Sequence, residues 1–204
     1  IKKGIKVHYF CVKGKGISGY LKNLPSLKRK IRQDNYDIVH AMYGTCGMLS
    51  VLQRILPVII TFMGCDVNRK DLRTISRLAM TLSSYNIFVD KRLSTKLNAK
   101  KRYSVIPFGV DFENKFFHLD KKMSREKLGL DPEAKIALFA SSFDRVEKNY
   151  VLAREAAKVI SDLELIELNT KYNRDEVNLL LNACDLLLMT SIREGSPQII
   201  KEAM

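Results

Sequence analysis

Short apolar runs alternate with longer amphipathic stretches along the whole 204-residue chain. Strand-length apolar runs separated by helix-length segments predict an α/β fold, with parallel sheets covered by helices on both faces. The predicted strands are Ile5–Phe10, Ile38–Met42, Val58–Phe62, Asn86–Val89, Tyr103–Pro107, Lys135–Ser141, Leu163–Leu168 and Leu186–Thr190. The predicted helices are Leu21–Gln33, Gly47–Leu56, Leu72–Ser83, Lys91–Ala99, Ser124–Leu128, Asn149–Ile160, Asp175–Ala183 and a segment from Pro197 onward.

The two halves of the chain differ in charge, and the change coincides with turn-forming residues. Residues 1–106 carry 21 Lys and Arg against 5 Asp and Glu, a net charge of +16. Residues 107–204 carry 14 against 17, a net charge of −3. Pro107 and Gly109 interrupt the pattern at this boundary. We therefore predict two Rossmann-like domains, 1–106 and 107–204, which face a cleft and bind ligands outside the carboxyl ends of their strands.

Composition limits the class of protein. The four Cys are scattered without a Cys-x-x-Cys pair and there are only three His, so we expect no metal site. No apolar run approaches the ~20 residues of a membrane-spanning helix, and no signal-peptide pattern opens the chain. These features favour a cytoplasmic protein. The basic first half fits either a plain solvated surface or peripheral contact with an anionic inner membrane face.

The last residues of the chain place two carboxylates around a predicted helix start. Ser196 suits the N-cap and Pro197 the first helical position, while Gly195 allows a ligand to approach the backbone closely. The free amides of such a helix end can bind an anion such as a diphosphate. Glu194 and Glu202 can face the same pocket. A ligand with both phosphates and hydroxyls, such as a nucleotide sugar, fits this arrangement.

The loop after the predicted strand Lys135–Ser141 contributes two cations, Arg145 and Lys148. Arginine can hold a phosphate through two parallel hydrogen bonds, and lysine acts as a compact charge. Surface cations of no special role are an equally simple interpretation of their position alone. The loop that carries Glu194 also follows a strand of the same predicted sheet, which favours a shared site.

Taken in order, several segments resemble the retaining GT-B glycosyltransferases of family four. Two glutamates separated by seven residues, as Glu194 and Glu202 are, form a signature of that family. The segments that carry the resemblance are DIVHAMYG (37–44), ITFMGCDV (60–67), VIPFGVD (105–111), FDRVEKN (143–149), NACDLLLMTS (182–191), REGSP (193–197) and EAM (202–204). The resemblance implies that the chain is a fragment. The first domain would lack its first strand and Gly-rich loop, and the second its C-terminal part.

The resemblance also implies roles for the matching residues of the second domain. Arg145 and Lys148 would hold the donor diphosphate and stabilise the charge on the leaving nucleotide, without a metal ion or other cofactor. Glu194 would bind hydroxyls of the transferred sugar, and Glu202 those of the ribose. The remaining donor-binding positions are Gly195, Ser196, Pro197 and, beside the base, Thr170 and Tyr172.

In the first domain the resemblance places His40, Gly64 and Asp66 at the acceptor side of the cleft. For His40 and Asp66 a purely structural role is the competing interpretation. The sequence departs from the family at Met42 and Met63, where histidines usually stand. Methionine can neither donate a strong hydrogen bond nor transfer a proton, so reduced activity is one expectation from this sequence.

The leading hypothesis is transfer of a sugar, with retention, from a nucleotide-sugar donor to a glycan or lipid-linked acceptor in cell-surface polysaccharide biosynthesis. The alternative is a catalytically impaired paralogue that still binds nucleotide sugars. A basic nucleic-acid-binding module is the third hypothesis. It rests on the charge of residues 1–106 alone, since the sequence contains neither zinc-finger spacing nor an RNA-binding aromatic signature.

Overall fold

The computed structural model describes residues 4–204, apart from the side chain of Ile17, and divides into two compact units. The division lies between Pro107 and Phe108. Residues 1–3 of the predicted first domain lie outside the described residues. Each unit contains one parallel sheet with helices in the connections between its strands, so the predicted α/β class with parallel sheets is confirmed.

The first unit is built on a four-stranded sheet with the order β1-β2-β3-β4. Its central strands are apolar because they are covered on both faces. Ile60, Phe62 and Phe88 are fully buried, and the last two rings stack 5.0 Å apart. The strands are β1 (Val39–Met42), β2 (Val58–Phe62), β3 (Tyr85–Phe88) and β4 (Tyr103–Val105). The helices are α1 (Gly16–Leu21), α2 (Leu24–Gln33), α3 (Gly44–Val51), α4 (Cys65–Asn68), α5 (Lys70–Leu82) and α6 (Lys91–Leu97).

The second unit has a three-stranded parallel sheet with β5 in the centre, between β6 and β7. Strand β5 carries four consecutive buried residues, Ile136 to Phe139. The strands are β5 (Lys135–Phe139), β6 (Leu163–Glu167) and β7 (Leu186–Leu188). The helices are α7 (Lys121–Leu128), α8 (Tyr150–Ala157), α9 (Arg174–Ala183) and α10 (Gln198–Ala203), and a 3-10 turn spans Val146–Lys148.

The predicted strand Ile5–Phe10 is wrong. Within residues 4–204, β1 pairs with β2 alone, so this segment has no neighbouring strand. Its alternating apolar side chains Ile5 and Tyr9 are 66% and 82% exposed. Phe10 packs instead against a small core formed by Leu27, Ile31 and Leu49, which holds the segment beside α2 without strand pairing.

Several helix bounds also differ from the predictions. The segment Leu21–Gln33 forms two helices, because the Asn23 side-chain amide donates to the carbonyls of Gly19 and Tyr20 and ends α1. The short helix α4 was not predicted. Helix α3 starts at Gly44 rather than Gly47 and ends at Val51 rather than Leu56. Its first amide, from Gly44, is bound by a distant carboxylate that the local pattern does not reveal.

Candidate functional site

The second unit brings three polar loops together at one edge of its sheet. Parallel strands β5, β6 and β7 end at the same edge, so the loops that follow them leave side by side. The chain runs from β5 to β6 on one side and then crosses to β7 on the other. Such a reversal of strand order is the usual ligand-binding position in open α/β sheets. The candidate site is therefore the edge where β5 and β7 end.

A partly buried ion pair joins the loops after β5 and β7. Lys148 Nζ lies 2.5 Å from Glu194 Oε1, with side chains that are 18% and 23% exposed. The Thr190 hydroxyl donates to the carbonyls of Lys148 and Asn149 at 3.0 and 2.9 Å. The Ile192 amide donates to the Glu147 carbonyl at 3.1 Å. These contacts hold an ammonium and a carboxylate next to each other at the sheet edge.

Arg145 is not part of this pair. Its guanidinium binds Glu147, two residues away, and the two side chains are 53% and 57% exposed. The pKa of the Glu147 carboxyl lies below its ordinary value because its own backbone amide and then Arg145 stabilise the charged form. Arg145 therefore occupies the predicted loop, and its carbonyl accepts from the Lys148 amide at 2.9 Å. Its guanidinium, however, faces solvent and pairs with Glu147 rather than with Glu194.

Glu202, the second carboxylate of the predicted motif, is nearly fully buried. Its side chain is 3% exposed, and its Oε1 accepts a hydrogen bond from the Arg174 guanidinium at 2.9 Å. The same guanidinium lies 4.8 Å above the Phe116 ring. No sequence motif marks Arg174 as a residue of this site. It is the first residue of α9, where a cation opposes the helix dipole, and that unfavourable placement is a signal that the side chain has another partner.

The predicted start of the last helix is displaced by one residue. Helix α10 begins at Gln198, and Pro197 is its N-cap in an extended conformation. Because Pro197 occupies the N-cap position, the predicted role of Ser196 as N-cap is wrong. Gly195, Ser196 and Pro197 are all half-buried. They form a connector that ends at Pro197, directly before the first turn of α10.

Two buried polar atoms border this connector without a hydrogen-bond partner among the described residues. They are the Ser191 hydroxyl oxygen and the Gln198 side-chain carbonyl oxygen. The Gln198 amide nitrogen and the Lys201 ammonium are used, since they donate to the carbonyls of Gly109 and Phe108 at 2.7 and 2.8 Å. Unpaired buried acceptors are rare in native proteins, so these atoms are candidate contacts for a bound molecule.

The predicted base-binding residues lie in the turn after β6. Thr170 is exposed and Tyr172 is half-buried. The turn leads into α9 through a capping box, in which the Asn173 side chain binds the Glu176 amide and the Glu176 carboxylate binds the Asn173 amide. Because this box fixes the end of the turn, Thr170 and Tyr172 sit in a short segment between a strand and a well-capped helix.

In the first unit, Asp66 forms the centre of a buried hydrogen-bond cluster. Its carboxylate accepts from the amides of Gly44, Gly64 and Met63 at 2.9, 2.8 and 3.2 Å. The Ser76 hydroxyl donates to the Asp66 carbonyl at 2.7 Å. Burial raises the pKa of the Asp66 carboxyl, and the amide hydrogen bonds oppose that rise. Asp66 is 0% exposed, and its hydrogen bonds order the Met63–Gly64 turn.

His40 and Tyr43 lie on the strand and turn beside this cluster. The His40 ring is 2.8 Å from the Thr61 hydroxyl, and partial burial lowers the pKa of the ring. Tyr43 has a φ of 85°, an unfavourable conformation for a side chain of this size. Burial, with Asp66 nearby, raises the pKa of Tyr43 to about 12. Such strained residues concentrate at functional sites.

Gly64, the third predicted residue of the first unit, needs its lack of a side chain. Its φ of 132° lies in the region that favours glycine. Met63 and Met42, which stand where the resemblance expects histidine, are 38% and 43% exposed. Within residues 4–204, no group of three or more His, Cys, Asp and Glu side chains is arranged to hold a metal ion.

Both a protein family and several solved structures match the chain. Residues 1–91 match the family model described as glycosyl transferase 4-like. The chain has the GT-B fold. No curated protein sequence matches the chain. In the described part of this GT-B chain, no helix is both long and apolar enough to cross a membrane.

Solved structures support this fold at low sequence identity. Sucrose-phosphate synthase from Thermosynechococcus elongatus matches with a TM-score of 0.76 and 14% identity over 91% of this chain. Anabaena HepE, solved in complex with UDP-glucose, matches 82% of this chain with a TM-score of 0.65 and 15% sequence identity. A glycosyltransferase from Rickettsia africae ESF-5 matches 92% of this chain with a TM-score of 0.60 and 15% sequence identity. The chain spans 58%, 56% and 59% of these three structures, respectively.

Proposed function

We propose that the full-length protein transfers a sugar from a nucleotide-sugar donor to a glycan or lipid-linked acceptor, with retention and without a metal ion, in cell-surface polysaccharide biosynthesis. The pair Lys148–Glu194 is the observation that carries this proposal. It offers both charges that such a donor needs, since an ammonium attracts phosphate oxygens and a carboxylate accepts hydrogen bonds from sugar hydroxyls. The relative HepE binds UDP-glucose, which supports a nucleotide sugar as the ligand class.

In the proposed reaction Lys148 stabilises the negative charge that develops on the leaving diphosphate. A preorganised cation in a partly buried site is effective here, because it needs little rearrangement as the bond breaks. Arg145 joins it by exchanging Glu147 for a phosphate oxygen. Such an exchange is easy, since exposed ion pairs are weak. Glu194 then turns from Lys148 to the hydroxyls of the sugar.

In this proposal Glu202 would bind the ribose, so its carboxylate would have to accept hydrogen bonds from both Arg174 and a ribose hydroxyl. The Glu202 carboxylate has a second oxygen, and Arg174 is 61% exposed, so the guanidinium can move towards solvent when a ribose hydroxyl arrives. Ser191 and Gln198 would supply the further polar contacts. Thr170 and Tyr172 would lie beside the base.

The first test is donor binding by the 204-residue chain. We would measure thermal stability with UDP-glucose, UDP-N-acetylglucosamine, ADP-glucose and GDP-mannose, because a ligand of the folded state raises the unfolding temperature. At least one donor should stabilise the native chain and fail to stabilise the variants Lys148→Ala and Glu194→Ala. Lys158→Ala is the matched control, since Lys158 forms an exposed pair with Glu155 at 3.0 Å.

The second test is sugar transfer by the full-length protein. Removing a group that stabilises the transition-state charge costs on the order of a hundredfold in rate, so Lys148→Ala should lower kcat by about that factor. Lys158→Ala should leave kcat unchanged. Native-like transfer by both Lys148→Ala and Glu194→Ala would contradict the proposal.

A second candidate function is nucleotide-sugar binding without turnover, which Met63 favours. Its exposed thioether stands where a histidine is expected, and its amide is held by Asp66. A binding protein of this kind would be stabilised by a donor, would transfer no sugar in its native form and would stay inactive as Met63→His. Turnover by the unmodified full-length protein excludes this candidate.

A further inference from the structure

Glu167, the last residue of β6, links the loops after β5 and β6. Its Oε2 accepts from the Phe143 amide and its Oε1 from the Asn169 side-chain amide, both at 2.8 Å. Asn169 Oδ1 in turn accepts from the Lys171 amide at 3.0 Å. The result is a chain of three hydrogen bonds from residue 143 to residue 171, which we call the Glu167 relay.

The relay reaches a well-anchored point of the first loop. The Phe143 ring lies 4.1 Å from the Tyr150 ring and 5.6 Å from the Phe139 ring. Phe139 ends β5 and Tyr150 starts α8. The aromatic contacts therefore close the loop on itself, and the Phe143 amide connects the closed loop to Glu167. Lys148, two residues before Tyr150, lies inside it.

The other end of the relay lies in the turn proposed to hold the base. Asn169 and Lys171 flank Thr170, and α9 follows after its capping box. The Phe143 amide and then the Asn169 amide keep the pKa of Glu167 below its ordinary value, so the carboxylate is ionised at neutral pH. An ionised carboxylate can only accept hydrogen bonds, which fixes the direction of every bond in the relay.

We propose that Glu167 is a positioning residue that sets the spacing between Lys148 and the 170–172 turn, and so between the sites for the donor diphosphate and the donor base. This inference rests on the proposed function, in which one molecule contacts both loops. A ligand that bridges two loops binds more tightly when their spacing is fixed in advance, because less conformational freedom is lost on binding. Glu167 itself makes no contact with the donor in this proposal.

The relay offers a test in which hydrogen-bond polarity is broken and then restored. In Glu167→Gln, an amide group faces the Asn169 amide, so that two donors meet. In Asn169→Asp, two carboxylates meet. In the double variant, the amide at position 167 donates to the carboxylate at position 169, whose other oxygen still accepts from the Lys171 amide. The double variant also keeps the native net charge.

We would measure the Kd of the 204-residue chain for the donor that gives the largest thermal stabilisation, with UDP-glucose as the first probe. Each single variant should bind about five- to tenfold more weakly, and the double variant should return to within about twofold of native, as expected for coupled neighbours. Glu164→Gln, on the exposed side of the same strand, is the charge-matched control and should bind like the native chain.

Denaturant unfolding and amide hydrogen exchange separate positioning from general stability. A merely structural role would lower the free energy of unfolding while leaving the Kd of the folded chain unchanged, and that result would overturn the proposal. So would a double variant that binds as weakly as the single ones.

If the native chain binds none of the donors, the proposed function fails, and the donor-positioning role fails with it. Exchange at the Phe143 and Lys171 amides then decides separately whether the relay joins the loops. Protection lost in the single variants and regained in the double variant supports that link, and unchanged protection excludes it.

Discussion

The Arg174 guanidinium and the Glu202 carboxylate form an ion pair across 2.9 Å, in which the carboxylate is buried and the arginine is 61% exposed. The pair joins the start of α9 to α10. It is asymmetric, because only the glutamate has lost its contact with water. The stability of this contact therefore depends on Arg174 satisfying a carboxylate that solvent cannot reach.

We predict that Arg174→Leu destabilises the chain by about 1–3 kcal/mol, the usual cost of leaving a buried polar group without its partner. The loss of the contact with the Phe116 ring adds to this. Urea unfolding at neutral pH measures the change. Arg69→Leu is the control, since Arg69 and Asp71 are both about 60% exposed. No measurable change is expected there, and equal losses in the two variants would contradict the role assigned to Arg174.

The meeting of Lys148 and Glu194 could be predicted from the sequence, because each residue follows a predicted strand of the same sheet. Lys148 and Glu194 come shortly after the predicted strands Lys135–Ser141 and Leu186–Thr190, and loops at the same end of neighbouring parallel strands meet. Their 2.5 Å contact has this origin. Arg145 lies in the same loop, but its side chain pairs with the exposed Glu147 two residues away, and strand order does not decide that pairing.

The parts that sequence misses depend on tertiary contacts between distant residues. Asp66 binds the Gly44 amide across 22 positions, which moves the start of α3 three residues earlier than the apolar pattern predicts. Arg174 meets Glu202 across 28 positions. Ile5–Phe10 alternates like a strand, yet a strand also needs a hydrogen-bonding neighbour, and periodicity cannot supply one.

The Asp66 cluster predicts a large effect from a nearly isosteric change. In Asp66→Asn one carboxylate oxygen is replaced by an amide donor, so at least one of the Gly44 and Gly64 amides faces another donor. We expect a loss of about 1–3 kcal/mol in the free energy of unfolding at neutral pH. Asp71→Asn, at an exposed carboxylate, serves as the control for removing one negative charge.

The comparison of the native chain with Asp66→Asn also gives a pH-dependent prediction. Burial raises the folded-state pKa of Asp66 above its ordinary value of 3.8, so the folded protein holds this proton to higher pH than the unfolded chain does. The contribution of Asp66 to stability is therefore greatest below pH 3.8 and decreases as the pH rises through its folded-state pKa. The stability difference between native and Asp66→Asn should shrink with rising pH over this interval. A difference that grows would show that the hydrogen bonds outweigh burial.

Two glycines of α3 should resist substitution because neighbouring elements occupy the space. A Cβ at Gly44 would lie 2.1 Å from the Ser76 hydroxyl oxygen, and one at Gly47 would lie 2.6 Å from the Ile60 Cδ1. Gly44→Ala and Gly47→Ala should each cost about 1–3 kcal/mol, as overpacking does. At Gly109 a Cβ would meet nothing within 4 Å, so Gly109→Ala is the control. Thermal or urea unfolding ranks the three variants by stability. A Gly44→Ala variant as stable as the native chain would contradict the close packing of α3 on α5.

The charge of the first unit gives the last prediction, which decides between a plain solvated surface and contact with an anionic membrane. Helix α2 buries Leu27 and Ile31 and exposes a basic face. Among the described residues, none of its four cations, Lys28, Arg29, Lys30 and Arg32, has an ion-pair partner, although Lys30 donates to the Tyr9 carbonyl. Each basic residue near an anionic bilayer contributes about 1 kcal/mol to binding, so this face should carry much of the affinity.

We expect Arg29→Glu/Arg32→Glu to lower binding to vesicles of 30 mol% phosphatidylserine by at least about tenfold, as measured by co-sedimentation. Binding of the native chain should also weaken as salt rises from about 0.05 to 0.5 M, because mobile ions screen the attraction. Lys70→Glu/Arg77→Glu on α5 changes the net charge equally and is the matched control. Equal losses in both double variants would assign the binding to total charge rather than to α2, and native-like binding by the α2 variant would exclude this helix as the contact.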